Sequence, residues 1–148
     1  MKNYFFQSDN SMSGFITRLA AGVVMLPHAL QKTFGMFGGH GFEGSMGFFT
    51  GQLGLPWIIA FLVIAIEFLG AICMILGFAT RFWAIALTIL FLGMIFFAHL
   101  DNGFFMNWFG NQTGEGFEYH ILYIGLCLAS FFSGGGKFSL DNRMIGSN

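Results

Sequence analysis

The sequence predicts an all-α integral membrane protein, a bundle of four hydrophobic helices that cross a lipid bilayer. Hydrophobic residues make up 55% of the 148 residues, and charged residues make up only 9%. The mean hydropathy is +0.71. Soluble domains carry about a quarter charged residues because their surface faces water. A chain this poor in charge needs lipid as its solvent, since apolar side chains can then face outward.

Four apolar stretches approach or reach the roughly 20 residues that a spanning helix needs. We place them at about residues 15–32, 55–79, 82–99 and 117–133. The second stretch has Glu67 as its only charge, and the fourth is the shortest. Thr80 and Arg81 are expected to form the tight link between the second and third helices, which are then antiparallel neighbours. Residues 1–148 are expected to form one transmembrane domain.

Two long connections, residues 33–54 and 100–116, combine Phe, Trp and Gly. This mixture suits the headgroup zone, where the loops could lie at the surface or partly re-enter the membrane. Lysine and arginine then give the orientation. One side of the membrane carries a single cation, Lys32, and Arg18 lies near the other side. That other side also carries Lys2, Arg81, Lys137 and Arg143. The positive-inside rule places both termini in the cytoplasm and both loops outside.

Several classes of function are excluded or disfavoured. The net charge of −1 gives no basic surface for nucleic acid. Cys73 and Cys127 lie within apolar stretches, form no CxxC pair and are interpreted as packing residues. The sequence shows no phosphate-binding loop, no Ser-His-Asp signature and no haem motif. The first apolar stretch is expected to be a retained span and not a cleaved signal peptide.

Small residues recur at helical spacing on two helices, where they let backbones approach closely in lipid. The stripe on the second helix is Glu67, Gly70, Ala71, Met74 and Gly77. The stripe on the fourth helix is Glu118, Leu122, Gly125 and Ala129. We expect both stripes to pack inside the bundle. Pro27 is expected to bend the first helix and to let His28 turn toward the interior.

Arg18 and Glu67 are charges within spans. A charge at the bilayer centre costs roughly 2.5–3.5 kcal/mol on insertion scales, so neither side chain should face lipid. The two could form a buried ion pair that fixes the helix register. They could instead form a site for a polar ligand head group or a proton path. Glu67 could also be protonated and hydrogen-bonded.

A second set of titratable residues lies at the outer helix ends: His28, Lys32, His99, Asp101, Glu118 and His120. In the expected topology they lie at similar depth. Titratable groups that converge under an apolar roof predict a binding or catalytic pocket. The alternative is polar capping at the membrane–water boundary. His28, His99 and His120 could also bind a metal, but no HxxxH or HExxH spacing supports this, so we predict no metal.

Short motifs follow one another from Arg18 to Asp141. They are Arg18, Leu26-Pro27-His28-Ala29-Leu30-Gln31-Lys32, Phe34-Gly35-Met36-Phe37-Gly38-Gly39, Glu67-Phe68-Leu69-Gly70, Leu76-Gly77-Phe78-Ala79-Thr80-Arg81, His99, Asn102-Gly103-Phe104-Phe105, Gly116-Phe117-Glu118-Tyr119 and Ser139-Leu140-Asp141. In this order they resemble the DoxX family of small four-helix bacterial membrane proteins. The resemblance implies a multi-pass protein of the bacterial cytoplasmic (inner) membrane.

The resemblance also implies a redox setting. The family includes relatives of the membrane subunits of a thiosulfate:quinone oxidoreductase, and members linked to thiol stress and to catechol or quinone detoxification. It implies quinones as a ligand class, with the apolar tail in lipid and the carbonyls accepting hydrogen bonds from His or Arg. The sequence carries no intrinsic cofactor motif, so a redox role needs a partner protein or a bound small molecule.

Two functions stay open. One is a quinone-interacting subunit of an oxidoreductase, in which Arg18 and Glu67 shape an interior site. The other is a non-catalytic membrane accessory, scaffold or small-solute handling protein whose buried charges are structural. The sequence leaves open whether the chain is an enzyme by itself and whether it forms a homo-oligomer. Beyond the lipid bilayer, the expected partners are a redox protein or a quinone.

Overall fold

The computed structural model describes residues 9–145, which form helices and no strands. Lys2, used above for the orientation, lies outside this range. The α-helices of this range are α1 (Met12–Phe34), α2 (Gly41–Gly47), α3 (Trp57–Leu76), α4 (Thr80–Met94), α5 (Glu118–Ser133) and α6 (Leu140–Ile145). A π-helical segment, Phe48–Gln52, extends α2. A second one, Ile95–His99, extends α4 and leads into a 3-10 turn at Leu100–Asn102.

Three of these helical segments are long and apolar enough to cross a membrane: Met12–Phe34, Trp57–Leu76 and Thr80–Asn102. The prediction of an all-helical membrane protein is thereby confirmed. The fourth predicted span corresponds to α5, which has 16 residues. A typical spanning helix has about 20. The predicted boundaries differ from the helix ends by a few residues, as is usual where helices fray.

The long helices enclose the larger of two apolar clusters. Helix α1 packs against α3 and α5, and α4 packs against the same two helices. Their facing sides bury Ala21, Met25, Ala71, Met74, Ala84, Leu87, Phe91, Tyr123 and Cys127. Large apolar side chains such as Ile16 and Ile89 are more than half exposed on the outer faces. An apolar exterior around an apolar core is the arrangement that lipid permits and water does not.

The two predicted small-residue stripes have opposite outcomes. The stripe on α3 is confirmed, because each of its residues from Glu67 to Gly77 is buried. The stripe on α5 is wrong, since Leu122, Gly125 and Ala129 are exposed. The buried line of α5 is His120, Tyr123, Cys127 and Ser130. Both faces of α5 carry small or apolar residues, so spacing alone could not decide which one packs. The Tyr123 hydroxyl, which donates to the Ala21 carbonyl at 3.2 Å, fixes the observed face.

The tight link between α3 and α4 is residues 77–79, not Thr80 and Arg81, which form the first turn of α4. Gly77 ends α3 with a φ of 67°, a left-handed conformation that favours glycine. A Cβ at this position would also lie 2.6 Å from the Ser139 Cβ and 2.8 Å from the Arg18 Cζ. Glycine is therefore required here both by the backbone and by close packing.

Asp141 caps α4 from the far end of the sequence. Its carboxylate accepts hydrogen bonds from the backbone N–H groups of Ala79, at 2.7 Å, and Thr80, at 3.0 Å. Its own N–H donates to the Gly77 carbonyl at 3.0 Å. A carboxylate at a helix N-terminus meets free N–H donors and the positive end of the helix dipole. Asp141 thus ties α6 to the start of α4.

We predict that Asp141→Ala lowers the free energy of unfolding by about 2–3 kcal/mol, because two charge-assisted hydrogen bonds to a buried helix end are lost. Thermal unfolding in detergent measures the change. Asp101→Ala is the matched control, since Asp101 is exposed and its side chain has no hydrogen bond or ion pair within residues 9–145. Equal effects of the two substitutions would contradict the capping role.

Candidate functional site

Of the alternatives for Arg18 and Glu67, the ion pair is wrong, because the two residues lie at different depths and have other partners. Arg18 is fully buried and donates to the carbonyl of Gly135, and also to three others at 2.6–3.1 Å, those of Ile75, Met74 and Lys137. Met74 and Ile75 lie roughly 11 Å along α3 from Glu67, at 1.5 Å per residue. Arg18 therefore ties together the first turns of α1, the end of α3 and the segment after α5. We call this end of the helices the Arg18 end.

Glu67 is paired with Lys32 instead. The Lys32 Nζ lies 2.8 Å from Oε2 and 3.0 Å from Oε1 of Glu67. The Glu67 side chain is 1% exposed, and that of Lys32 is 27% exposed. Lys32 lies in the last turn of α1, and its long stem carries the ammonium inward to the middle of α3. A buried carboxylate is tolerated when such a partner is present.

Two histidines meet at the end of the helices opposite Arg18, which we call the His99 end. The rings of His99 and His120 have centroids 4.1 Å apart. Phe91 packs against His120 at 5.3 Å, and Tyr119 lies 6.0 Å from the same ring. His28 on α1 lies 6.5 Å from the Tyr119 ring. Residues from α1, α4 and α5 therefore come near one another here, and two members of the predicted outer set, His99 and His120, are in ring contact.

The π-helical segment at the end of α4 gives His99 its position. In an uninterrupted α-helix, Ala98 would continue the buried line two turns after Phe91. The i→i+5 hydrogen bonds of a π turn widen the helix by one residue, and such turns are frequent at functional sites. Residue 99 takes the inward position as a result. Ala98 is exposed, and His99 is half-buried against His120.

Hydrogen bonding within the described residues shows which polar atoms at the His99 end have a partner and which do not. The Nδ1 of His99 lies 2.8 Å from the Glu115 carbonyl. A carbonyl only accepts, so Nδ1 carries the hydrogen and, in the neutral ring, Nε2 carries the lone pair. The Nδ1 of His120 and the hydroxyl of Tyr119 are buried and have no hydrogen-bond partner among the described residues. Buried polar atoms usually have partners, so these two are candidates for ligand contacts.

A cleft of about 420 Å³ opens between the loop of residues 103–117 and α5. It is lined by Phe104, Met106, Trp108, Glu118, Tyr119 and Leu122. The indole N–H of Trp108 donates to the Glu118 carboxylate at 3.4 Å across it. Trp108 is 77% exposed and Leu122 67% exposed, so the cleft opens at the surface. Tyr119 is the residue that joins this apolar cleft to the polar group.

Asp101 and His28, which were also predicted as site residues, are both exposed. Asp101 is exposed in the 3-10 turn and contacts none of the other five. His28 is exposed, so the expectation that Pro27 turns it inward is wrong, and α1 continues through the proline. Within residues 9–145 there is no group of three or more His, Cys, Asp or Glu side chains that could hold a metal ion.

Sequence reasoning missed Tyr119 and Asp141 as individual residues, although both occur in the motifs quoted above. Tyr119 stands between two titratable residues, Glu118 and His120, and this adjacency was an available signal. Asp141 had no such signal, because a cap supplied from outside its own helix cannot be read from local spacing. Phe91 was hidden within a uniformly apolar span.

The fold and the site define an all-helical membrane protein with a buried ion pair and a histidine–tyrosine group at one end. The family model for DoxX matches residues 14–100. A Bacillus subtilis (strain 168) protein named "Putative oxidoreductase CatD" is 31% identical over 114 residues, which are 77% of this chain and 75% of that protein. The chain belongs to the DoxX family. No solved structure matches it significantly.

A double-mutant cycle tests the pairing of Lys32 with Glu67. We predict that Lys32→Met lowers the free energy of unfolding by about 3–5 kcal/mol, because it leaves a buried carboxylate uncompensated. Adding Glu67→Gln should recover part of that loss, which chemical denaturation in detergent measures. The comparison cycle combines Arg18→Lys with Glu67→Gln and should be additive, since those residues do not touch. Coupling in the second cycle and additivity in the first would contradict the observed pairing.

Proposed function

We propose that this protein is a quinone-interacting membrane module of a redox or detoxification system, with the quinone head group in the cleft beside Tyr119. The observation that carries the proposal is an apolar cleft lined in part by Tyr119, together with two buried polar atoms without a partner, one on Tyr119 and one on the neighbouring His120. The Tyr119 hydroxyl and the His120 Nδ1 have no protein partner within the described residues. An apolar cleft with few convergent polar groups is the usual form of a small-molecule site.

The residues present fit a quinone. Its ring is flat and could lie against Phe104 and Trp108, whose faces favour stacking. Its oxygens accept hydrogen bonds, which the Tyr119 hydroxyl and a protonated His120 nitrogen can donate. The exposed Leu122 gives the apolar tail a path into lipid. When bound, a quinone supplies two-electron, two-proton redox chemistry, and the chain supplies orientation and hydrogen bonds.

A redox role in this protein requires a partner that supplies or takes electrons. Cys73 and Cys127 are free, on different helices, and both lie in the apolar part of the protein. We therefore propose a module that acts with a redox protein, in keeping with the oxidoreductase name of its relative from Bacillus subtilis. The carbonyl contacts of Arg18 favour a structural role for that residue within the same protein.

We further propose that α5 completes a fourth crossing, in a multi-pass protein of the bacterial cytoplasmic (inner) membrane with both termini inside. Helix α5 packs against α1 and α4 and has a length of about 24 Å at 1.5 Å per residue. The Arg18 end carries Arg81, Lys137 and Arg143. This excess of positive charge favours a cytoplasmic Arg18 end.

Cysteine labelling tests the orientation. In a Cys73→Ala/Cys127→Ala background, Phe109→Cys places a thiol at a position that is 89% exposed at the His99 end. Arg143→Cys places one at the Arg18 end. A membrane-impermeant maleimide applied to intact cells should label the first variant only, and lysis should make the second reactive. Labelling of the Arg143→Cys variant in intact cells would overturn the orientation.

Quinone binding should respond to the Tyr119 hydroxyl. In a Trp57→Phe/Trp83→Phe background, Trp108 is the one tryptophan, and a short-chain benzoquinone or naphthoquinone should quench its fluorescence saturably. Tyr119→Phe should raise the Kd about 3–10-fold, since one hydrogen bond contributes about 0.5–1.5 kcal/mol. It should leave the thermal stability unchanged, because that hydroxyl has no protein partner within residues 9–145.

Two controls accompany this measurement. Tyr123→Phe removes a hydroxyl that is bonded to the Ala21 carbonyl, so it should lower stability and leave the Kd unchanged. A Trp83→Phe/Trp108→Phe background keeps Trp57, which stacks on Phe61 away from the cleft. Quinone dissolved in the detergent would quench both tryptophans equally and without saturation. That outcome would overturn the proposed site.

A further inference from the structure

We propose that the cleft lined by Phe104, Trp108 and Tyr119 also binds quaternary ammonium head groups, with the Glu118 carboxylate as the opposite charge. The ligand class is a trimethylammonium group on an apolar tail, whether it belongs to a choline phospholipid or to a free single-chain amphiphile. This site goes beyond the proposed function and does not depend on quinone binding. It rests on the aromatic walls of the cleft, on the partners of Glu118 and on the charge of the His99 end.

The aromatic walls are the first element. Phe104, Trp108 and Tyr119 all line the cleft. Phe104 packs against the rings of Phe105 and Phe117. Trp108 is 77% exposed and contacts no aromatic ring within the described residues. Stacking among the three rings therefore does not fill the space between them. An aromatic ring face attracts a cation within about 6 Å of its centroid, and tryptophan attracts it most strongly.

The carboxylate of Glu118 is the second element, because Glu118 is the charged residue that lines the cleft. Within residues 9–145 it forms no ion pair and accepts one hydrogen bond, from the Trp108 indole N–H at 3.4 Å. One carboxylate oxygen therefore has no partner there. Glu118 also lies in the first turn of α5, where the helix dipole favours an acid. That local role does not require aromatic walls, whereas binding of an organic cation uses both features.

The lining of the cleft favours a quaternary over a primary ammonium group. A primary ammonium carries three N–H donors, and a donor left unpaired in an apolar cleft costs free energy. The oxygen acceptors on the lining side chains are the Glu118 carboxylate and the Tyr119 hydroxyl, while Met106 and Leu122 are apolar. A trimethylammonium group has no N–H donor and presents methyl groups to the rings. It therefore needs only the charge and the apolar surface that the cleft provides.

The charge of the His99 end is the third element. Among the described residues, four acids of this end form no ion pair: Glu43, Asp101, Glu115 and Glu118. The positive charge of Lys32 is already neutralised by Glu67. An excess of negative charge around a cleft raises the local concentration of cations. The cleft thus attracts a cation by its surroundings as well as by its lining.

Trp108 fluorescence tests the site in dodecyl maltoside, an uncharged detergent, in the Trp57→Phe/Trp83→Phe background. Hexyltrimethylammonium should change the Trp108 emission saturably. Hexylammonium has the same chain with a primary head group and should have a Kd at least about fivefold higher. Hexanol, which has no charge, should show no saturation. A non-saturable response to hexyltrimethylammonium would overturn the site, and equal Kd values for the two ammonium ions would overturn its preference for a quaternary group.

Glu118→Gln removes the charge and keeps an oxygen that accepts from the Trp108 indole. It should raise the Kd for hexyltrimethylammonium about tenfold. Asp101→Asn is the matched control, because Asp101 is an exposed acid of the same end that does not line the cleft. It should change the Kd by less than about twofold. Equal effects of these two substitutions would reduce the attraction to general surface charge and would overturn the site.

Trp108→Leu is the second variant, because it replaces the ring by an apolar side chain at an exposed position. Isothermal titration calorimetry should show a Kd for hexyltrimethylammonium at least about fivefold higher than in the native protein. This variant keeps the test decisive if Glu118→Gln destabilises the first turn of α5, which thermal unfolding detects. An unchanged Kd in Trp108→Leu would contradict the role of the aromatic wall.

Lipid nanodiscs distinguish the two sources of the head group. The native protein is titrated with hexyltrimethylammonium in nanodiscs of phosphatidylethanolamine, and again after part of that lipid is replaced by phosphatidylcholine. A higher apparent Kd in the presence of phosphatidylcholine would assign the site to choline phospholipids. An unchanged Kd would assign it to free amphiphiles. Absence of saturable binding in both kinds of nanodisc would overturn the site, and this result is independent of any measurement with quinone.

Discussion

A charge inside an apolar helix bundle must meet an opposite charge or several hydrogen-bond partners, and this constraint organises the whole protein. Arg18 meets it with four backbone carbonyls, which suits the several N–H donors of a guanidinium. Glu67 meets it with the Lys32 ammonium, a point charge on a flexible stem. The two solutions lie at different depths, with Arg18 near one end of the helices and Glu67 at the middle of α3. One end is consequently closed and structural, and the other keeps its titratable groups together.

The closed end explains why distant parts of the sequence must fold together. Arg18 joins α1 to the end of α3 and to the segment after α5, and Asp141 joins α6 to the start of α4. Gly77 lies where these contacts meet and admits no side chain. Because these contacts hold the Arg18 end in place, the His99 end can contain less regular backbone. The π turn before His99 and the loop of residues 103–117 lie there, and both shape the cleft.

The class of fold could be predicted from composition and span length, because both follow from the solvent and not from particular contacts. The depth of Arg18 relative to Glu67 could not be predicted from the sequence, since it depends on how far α1 and α3 are displaced along one another. When two spans are almost uniformly apolar, their sequences do not show how the helices are aligned along one another. The same uniformity hid the packing face of α5. The convergence of His99 with His120 was predictable from their shared end, whereas the π turn that orients His99 has no sequence signature that we can name.

Charge pairing also bears on which ligand the His99 end can accept. If Lys32 faced the cleft without Glu67, an anionic solute would be favoured there. Glu67 accepts both of its short contacts from Lys32, so the buried pair has no surplus positive charge to offer. A neutral head group with hydrogen-bonding oxygens does not need a positive charge. It needs hydrogen-bond donors and an apolar face. Tyr119, His120 and the aromatic cleft supply these. The ion pair therefore supports the proposal of a neutral quinone over an anionic solute, because Glu67 neutralises the positive charge that an anion would need.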